Sequence, residues 1–235
     1  MIADAPTRLD KLLAELKGLP DIHDRHSVIG RLRAIDTRIT EAAGQVSQAI
    51  LAMRGLRSIV GAGAGTMGDG DRKSLEDTAQ SLLDLVESGK VTRASKRDDT
   101  LTAEITEAAS RMLKNANAKW KSYFSERAQA YENLATAARN ARLPGGQDLA
   151  QAVAALFRLA QTLPSRIEEV EGATATLETV RKAIESLGLE GAAGVFLVAA
   201  IRGDATLDML KAEDVKQFLC AYPMLAQLLR VHLVV

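Results

Sequence analysis

Active sites are assembled from histidines, thiols, paired carboxylates and glycine-rich loops, and this chain offers few such groups. His23 and His26, with Asp21 and Asp24 beside them, place two imidazoles within one turn of an expected helix start. A metal site would need at least one further ligand from elsewhere and outer partners to orient the rings. The simpler reading is a polar helix start. His232 sits in an apolar terminal segment and reads as a surface residue of an edge strand. Cys220 is the single cysteine, which rules out an internal disulfide and any zinc site built from several thiolates. No base neighbours it in sequence, so a buried structural thiol is expected rather than a nucleophile.

The segment Gly63-Ala-Gly-Thr-Met-Gly68 has the glycine spacing of a dinucleotide-binding loop. In that fold the glycines let a turn after a strand pass close to a pyrophosphate at a helix mouth. Here the segment follows a helical pattern and no βαβ unit surrounds it. Gly65 and Gly70 also have the separation of a phosphate loop, but Asp71 and Arg72 stand where Lys and Ser or Thr are needed. The expected role is a linker between helices. No catalytic, cofactor-binding or metal-binding residue is assigned.

Binding chemistry has one better candidate. Arg111, Lys114, Lys119, Lys121 and Arg127 crowd a stretch that also holds Trp120, Tyr123 and Phe124. Basic residues interleaved with aromatics can follow a phosphate backbone and stack on bases. The aromatics fall on or near the expected apolar seam, however, so they read first as core. The acidic run Glu168–Glu171, with Glu178 and Glu185, is expected to pair with these bases across a hairpin. Lys211 and Lys216 are the basic positions of a second, C-terminal candidate, where Glu213 and Asp214 oppose phosphate as much as the lysines attract it.

The elements that must carry these groups are helices. Of the 235 residues 47% are hydrophobic and only 3% aromatic, with Ala and Leu supplying most of the apolar surface. That favours helix over sheet. A short helix around Leu9–Leu16 ends at Gly18–Pro20. A second starts near Asp24 or Ser27 and carries Val28, Leu32, Ile35, Ile39, Ala42, Val46, Ala49, Met53, Leu56 and Val60 in unbroken four–three steps. This period predicts a coiled-coil seam. After the glycine-rich loop 61–70, a helix is expected over Asp71–Ser88 and a loop over Thr92–Asp99.

Thr100–Arg142 reads as one helix stopped by Leu143-Pro144-Gly145-Gly146. Beyond it, Leu149, Val153, Leu156, Ala160, Leu163, Ile167, Val170, Thr174 and Leu177 keep four–three steps through Pro164. A single kinked helix, Gln147–Leu187, is therefore expected. Each long arm would span about 60 Å, and the tight turn 143–146 makes the two antiparallel.

The last segment changes character. An apolar helix in Gly188–Gly203, a short turn at Thr206–Leu210, an amphipathic helix Ala212–Ala221 and a β-branched terminus Leu228–Val235 resemble a reduced winged-helix module in topology. The expected fold is thus all-α, an elongated antiparallel coiled-coil bundle over residues 1–187 with a winged-helix-like module over 188–235.

Thirty basic and thirty acidic residues cancel, so no global field steers the chain toward nucleic acid or anionic lipid. Its start shows no signal peptide, and its longest apolar run, Gly191–Ile201, is too short to cross a bilayer. A cytoplasmic, non-enzymatic structural or adaptor subunit is expected, with a protein partner. An assembly that also holds an ATPase or nuclease is one setting, and homo-oligomerisation is another outcome of the seams. The alternative is a nucleic-acid-binding accessory protein using the 111–127 face or the C-terminal module.

Overall fold

The computed structural model describes residues 22–61, 69–88 and 96–227. The expected first helix, the glycine motif Gly63–Gly68, the side chain of His23, His232 and the terminal strand at Leu228–Val235 lie outside the described residues. Among the described residues there are seven α-helices, two 3-10 turns and no strand, so the chain is all-α. The helices are α1 (Ile22–Val60), α2 (Asp69–Glu87), α3 (Arg97–Asn140), α4 (Gly146–Leu159), α5 (Ile167–Ser186), α6 (Gly191–Arg202) and α7 (Glu213–Ala221). The 3-10 turns are Leu207–Lys211 and Pro223–Gln227. The chain divides into two compact units, Met1–Lys119 and Trp120–Val235, with the division falling inside α3.

In the first unit the sequence pattern of α1 is its buried face. Leu32, Ile35, Ala42, Ala49, Met53 and Leu56 are buried, while Val60 at the end of the stripe is exposed. Leu75, Leu82 and Val86 form the matching stripe of α2, and Ile105, Ala108 and Met112 that of α3. Two polar contacts fix the direction of α1 relative to this part of α3. Arg31 donates to Asp98, and Ser110 donates to Gln45 at 3.1 Å. Residue numbers rise together along both helices, so they run parallel.

The start of α3 lies three residues before the expected Thr100, and the difference has a physical cause. Asp98 and Asp99 in its first turn complement the positive end of the helix dipole. Asp98 is fully buried, and the Arg31 guanidinium meets it side-on, with Nε 2.7 Å from Oδ2 and Nη2 donating to Oδ1 at 2.9 Å. The Nε contact is close but off the hydrogen-bond direction. Nη2 also donates to Asp99 at 2.8 Å.

In the second unit α3 ends without using its glycines first. The Leu143 amide donates to the Ala138 carbonyl and the Arg142 amide to that of Arg139, the Schellman pattern, with Arg142 in the left-handed region at φ 54. Leu143 is buried beneath the turn. Gly146, where α4 begins, faces the Ala138 carbonyl so closely that a Cβ would lie 2.6 Å from its oxygen. The same closure recurs after α5 and α6, at Gly188 with buried Leu189 and at Gly203 with Asp204, this time with glycine in the left-handed position. Arg142→Gly is therefore expected to raise stability by about 0.5–1 kcal/mol, because glycine adopts this conformation without the Cβ penalty. A urea titration followed by circular dichroism checks it.

The expected unbroken helix Gln147–Leu187 is corrected. α4 ends at Leu159, Ala160–Arg166 forms a turn containing Pro164, and α5 packs back against α4. Proline lacks the N–H that would continue the ladder and its ring clashes one turn back. A second stop signal lies just beyond, where the Ser165 amide donates to the Glu169 carboxylate at 2.6 Å. The apparent register through Pro164 was a coincidence of two stripes. The buried positions of α5 are Ala173, Val180 and Ile184, flanked by half-buried Val170 and Leu177, whereas Ile167 and Thr174 of the expected seam are exposed. Val170 and Leu177 belong to both patterns.

The segment after α5 shares the second unit's core. Ala193, Phe196 and Leu197 of α6 are buried, and a Cβ on Gly194 would sit 3.2 Å from Leu134 of α3. The boundary expected at 187/188 thus falls within this unit. Asp214 of α7 holds the start of α6, its Oδ2 accepting from the amides of Ala192 at 2.8 Å and Ala193 at 3.3 Å. That contact satisfies two of the free amides of the helix terminus.

No single helix among the described residues is long and apolar enough to cross a membrane. α5 and α6 together pass such a test by length and composition, but they are bent by 81° where they meet.

Candidate functional site

The basic–aromatic stretch on α3 is positioned by a core stripe that advances in fours. Ala108, Met112, Ala116, Trp120, Phe124 and Ala128 are all buried. Each step of four overshoots a helical turn by about 40°, so the buried stripe winds around α3. Arg111, Lys119 and Arg127, eight apart, consequently lie on one flank of the stripe. Lys121 lies on the other flank and Lys114 on the back, all five exposed. The five cations that the sequence groups together do not share a face. Individual partners dilute them further. Arg111 pairs with Glu107 at 2.9 Å, and the Arg127 guanidinium lies over the Tyr123 ring at 5.5 Å.

The aromatics are core, as their seam positions imply. Trp120 and Phe124 are buried with ring centroids 4.7 Å apart, and half-buried Tyr123 meets Phe124 edge-on at 5.1 Å. The Trp120 indole N–H donates to the Leu159 carbonyl at 2.8 Å, closing the last turn of α4. Stacking with bases would require these rings to leave the core.

The C-terminal lysines are placed on exposed positions and paired locally, Lys211 with Asp208 and Lys216 with Glu213. Salt bridges of this kind on one exposed helix turn contribute little to stability, but they lower the net charge offered to phosphate. The acidic residues of α5 also pair within their own helix. Arg181 meets Glu178 at 3.0 Å and Glu185 at 3.6 Å, so these two do not form the expected pairs across the hairpin. Cys220 is exposed, which corrects the expected buried thiol: Val215 and Phe218 take the buried side of α7 instead. His26 is exposed on α1, and among the described residues no group of three His, Cys, Asp or Glu converges as metal ligands would.

A feature that the sequence pattern does not announce lies at the α4–α5 turn. A cleft of about 440 Å³ opens between Trp120, the turn residues Leu163 and Pro164, and the α5 face of Glu169, Gly172 and Thr176. These three α5 positions share one face by their three–four spacing. Glu169 is held from both sides of Ser165, whose amide and hydroxyl both donate to it. The hydrogen bond from the Ser165 amide, first, and then that from its hydroxyl hold the Glu169 carboxyl below the ordinary carboxylate value. A lowered value means that the anchor contributes stability above the ordinary carboxylate value and loses it as pH falls through the lowered one. Glu169→Gln is therefore expected to lower the melting temperature near neutrality. The difference from the unsubstituted chain should close as pH falls through the lowered value, which melting curves across an acid series would show.

The cleft thus sets a fixed carboxylate beside a lining of mixed polarity, at a turn defined by Pro164 and Ser165. No protein-family model, curated protein or solved structure matches this chain.

Proposed function

We propose that the chain is a non-enzymatic adaptor that docks proteins within a larger cytoplasmic assembly. The observation that carries this reading is the apolar surface left on the C-terminal segment. Val195 is 62% exposed, Leu207 59% and Met224 79%. α6, which bears Val195, is apolar on nearly every side, with only Arg202 charged. Large apolar side chains in water are surface that a protein partner covers with gain. In this reading the four–three stripe of α1 packs as a coiled coil, and the segment after 188 serves as a winged-helix-like docking module.

The test is affinity purification of the full chain from its native host, in parallel with Val195→Glu and Met224→Glu. The adaptor reading expects a defined protein to accompany the unsubstituted chain and both substitutions to reduce its recovery several-fold. Recovery of nucleic acid alone, or of a protein indifferent to both substitutions, overturns it.

A further inference from the structure

We infer that the α4–α5 cleft receives a basic side chain of a partner protein, with the aliphatic stem of a lysine or arginine against the apolar wall and its cationic head at Glu169. The inference rests on the adaptor reading and names the chemistry of one contact. Among the described residues lining the cleft Glu169 alone carries charge, Leu159, Leu163 and Pro164 are apolar, Thr162 and Thr176 are polar, and buried Trp120 lies behind them. A trough with apolar residues along part of its wall and a single anion at its rim matches a side chain that is itself apolar along its stem and cationic at its tip. Its volume lies in the range of pockets that hold small groups.

Three details fit this use. The carboxylate is already oriented, because Ser165 holds it through an amide and a hydroxyl, so little side-chain freedom remains to be lost on binding. Gly172 keeps the opposite wall low: a Cβ there would meet nothing within 4 Å. The Thr176 hydroxyl donates to the Gly172 carbonyl at 2.8 Å, which occupies its polar group within the helix.

Trp120 is the only tryptophan in the chain, so its fluorescence reports on this cleft directly. The full chain would be titrated with a blocked lysine–alanine octapeptide, with glutamine–alanine and glutamate–alanine octapeptides as controls. The expected result is a saturable change in Trp120 emission with the lysine peptide alone, weakened at least tenfold in Glu169→Gln. Gly172→Leu, which fills the cleft from a position with room for a side chain, should abolish the response while circular dichroism shows an unchanged helix content. An absent response, an equal response to the glutamine peptide, or an undiminished response in either variant overturns the inference. A native complex that forms while Trp120 ignores the peptide removes the cleft contact and leaves the adaptor reading standing. A saturable, Glu169-dependent response in a chain that recovers no partner does the reverse.

Discussion

Replacing Arg31 with alanine is expected to destabilise the chain by about 3 kcal/mol, through the charge that it leaves behind. Asp98 is fully buried, and Arg31 supplies both the opposite charge and a hydrogen bond to Oδ1. Removing the guanidinium strands a carboxylate that water reaches poorly, whereas the intact pair adds much less to stability than its rupture subtracts. The lower part of the usual range applies because the Arg31 side chain is 19% exposed. For a chain of this length the loss corresponds to a fall in melting temperature of about 6–12 °C. The double substitution Arg31→Met with Asp98→Leu should recover most of it, because neither buried charge remains. Thermal and urea unfolding followed by circular dichroism measure both. A loss below 1 kcal/mol for Arg31→Ala, or a double variant no better than the single one, contradicts the account of this pair.

Trp120→Ala is expected to cost about 4 kcal/mol, the upper range for deleting a large core side chain. The indole is 1% exposed, packs at a tilt against Phe124 and closes α4 at the Leu159 carbonyl. Trp120→Phe separates the two contributions. It keeps most of the apolar burial and loses the N–H, so a smaller cost of about 1–2 kcal/mol is expected from the unpaired carbonyl and the remaining gap. Urea titrations followed by circular dichroism provide the comparison. Equal costs for both variants would assign the whole effect to the hydrogen bond and contradict the packing account.

The sequence carries the α1 face clearly, because ten apolar positions in regular steps have only one way to be buried together, and nine of the ten are buried or half-buried. It carries the break at Pro164 poorly. Val170 and Leu177 satisfy both the continuous pattern and the true α5 stripe, so periodicity alone prefers the longer helix. The Ser165–Glu169 pair and the proline together were the available signal. Along α3 the trouble is different: steps of four look irregular against a seven-residue template, which conceals that Phe124 and Ala128 are as buried as Trp120. The winding stripe also explains why cations close in sequence end up on different sides of the helix.

Polar partners across helices were illegible for a separate reason. Asp98 reads as an ordinary loop or helix-start acid until Arg31, 67 residues earlier, is brought beside it. Arg142 in a left-handed position departs from the usual preference for glycine, and Pro144-Gly145-Gly146 nearby draws attention away from the residue that actually turns the chain. The cleft depends on four segments, α3, the end of α4, the 160–166 turn and α5, whose approach follows from the hairpin that periodicity concealed.

The most direct test of the adaptor reading is the mass in solution of the species purified from the native host after nuclease treatment and a salt wash, measured by light scattering with both protein and nucleic-acid absorbance. The account predicts a complex heavier than the 25.2 kDa chain by the mass of a different protein. A mass equal to the chain or a whole multiple of it, with no second protein present, would contradict it.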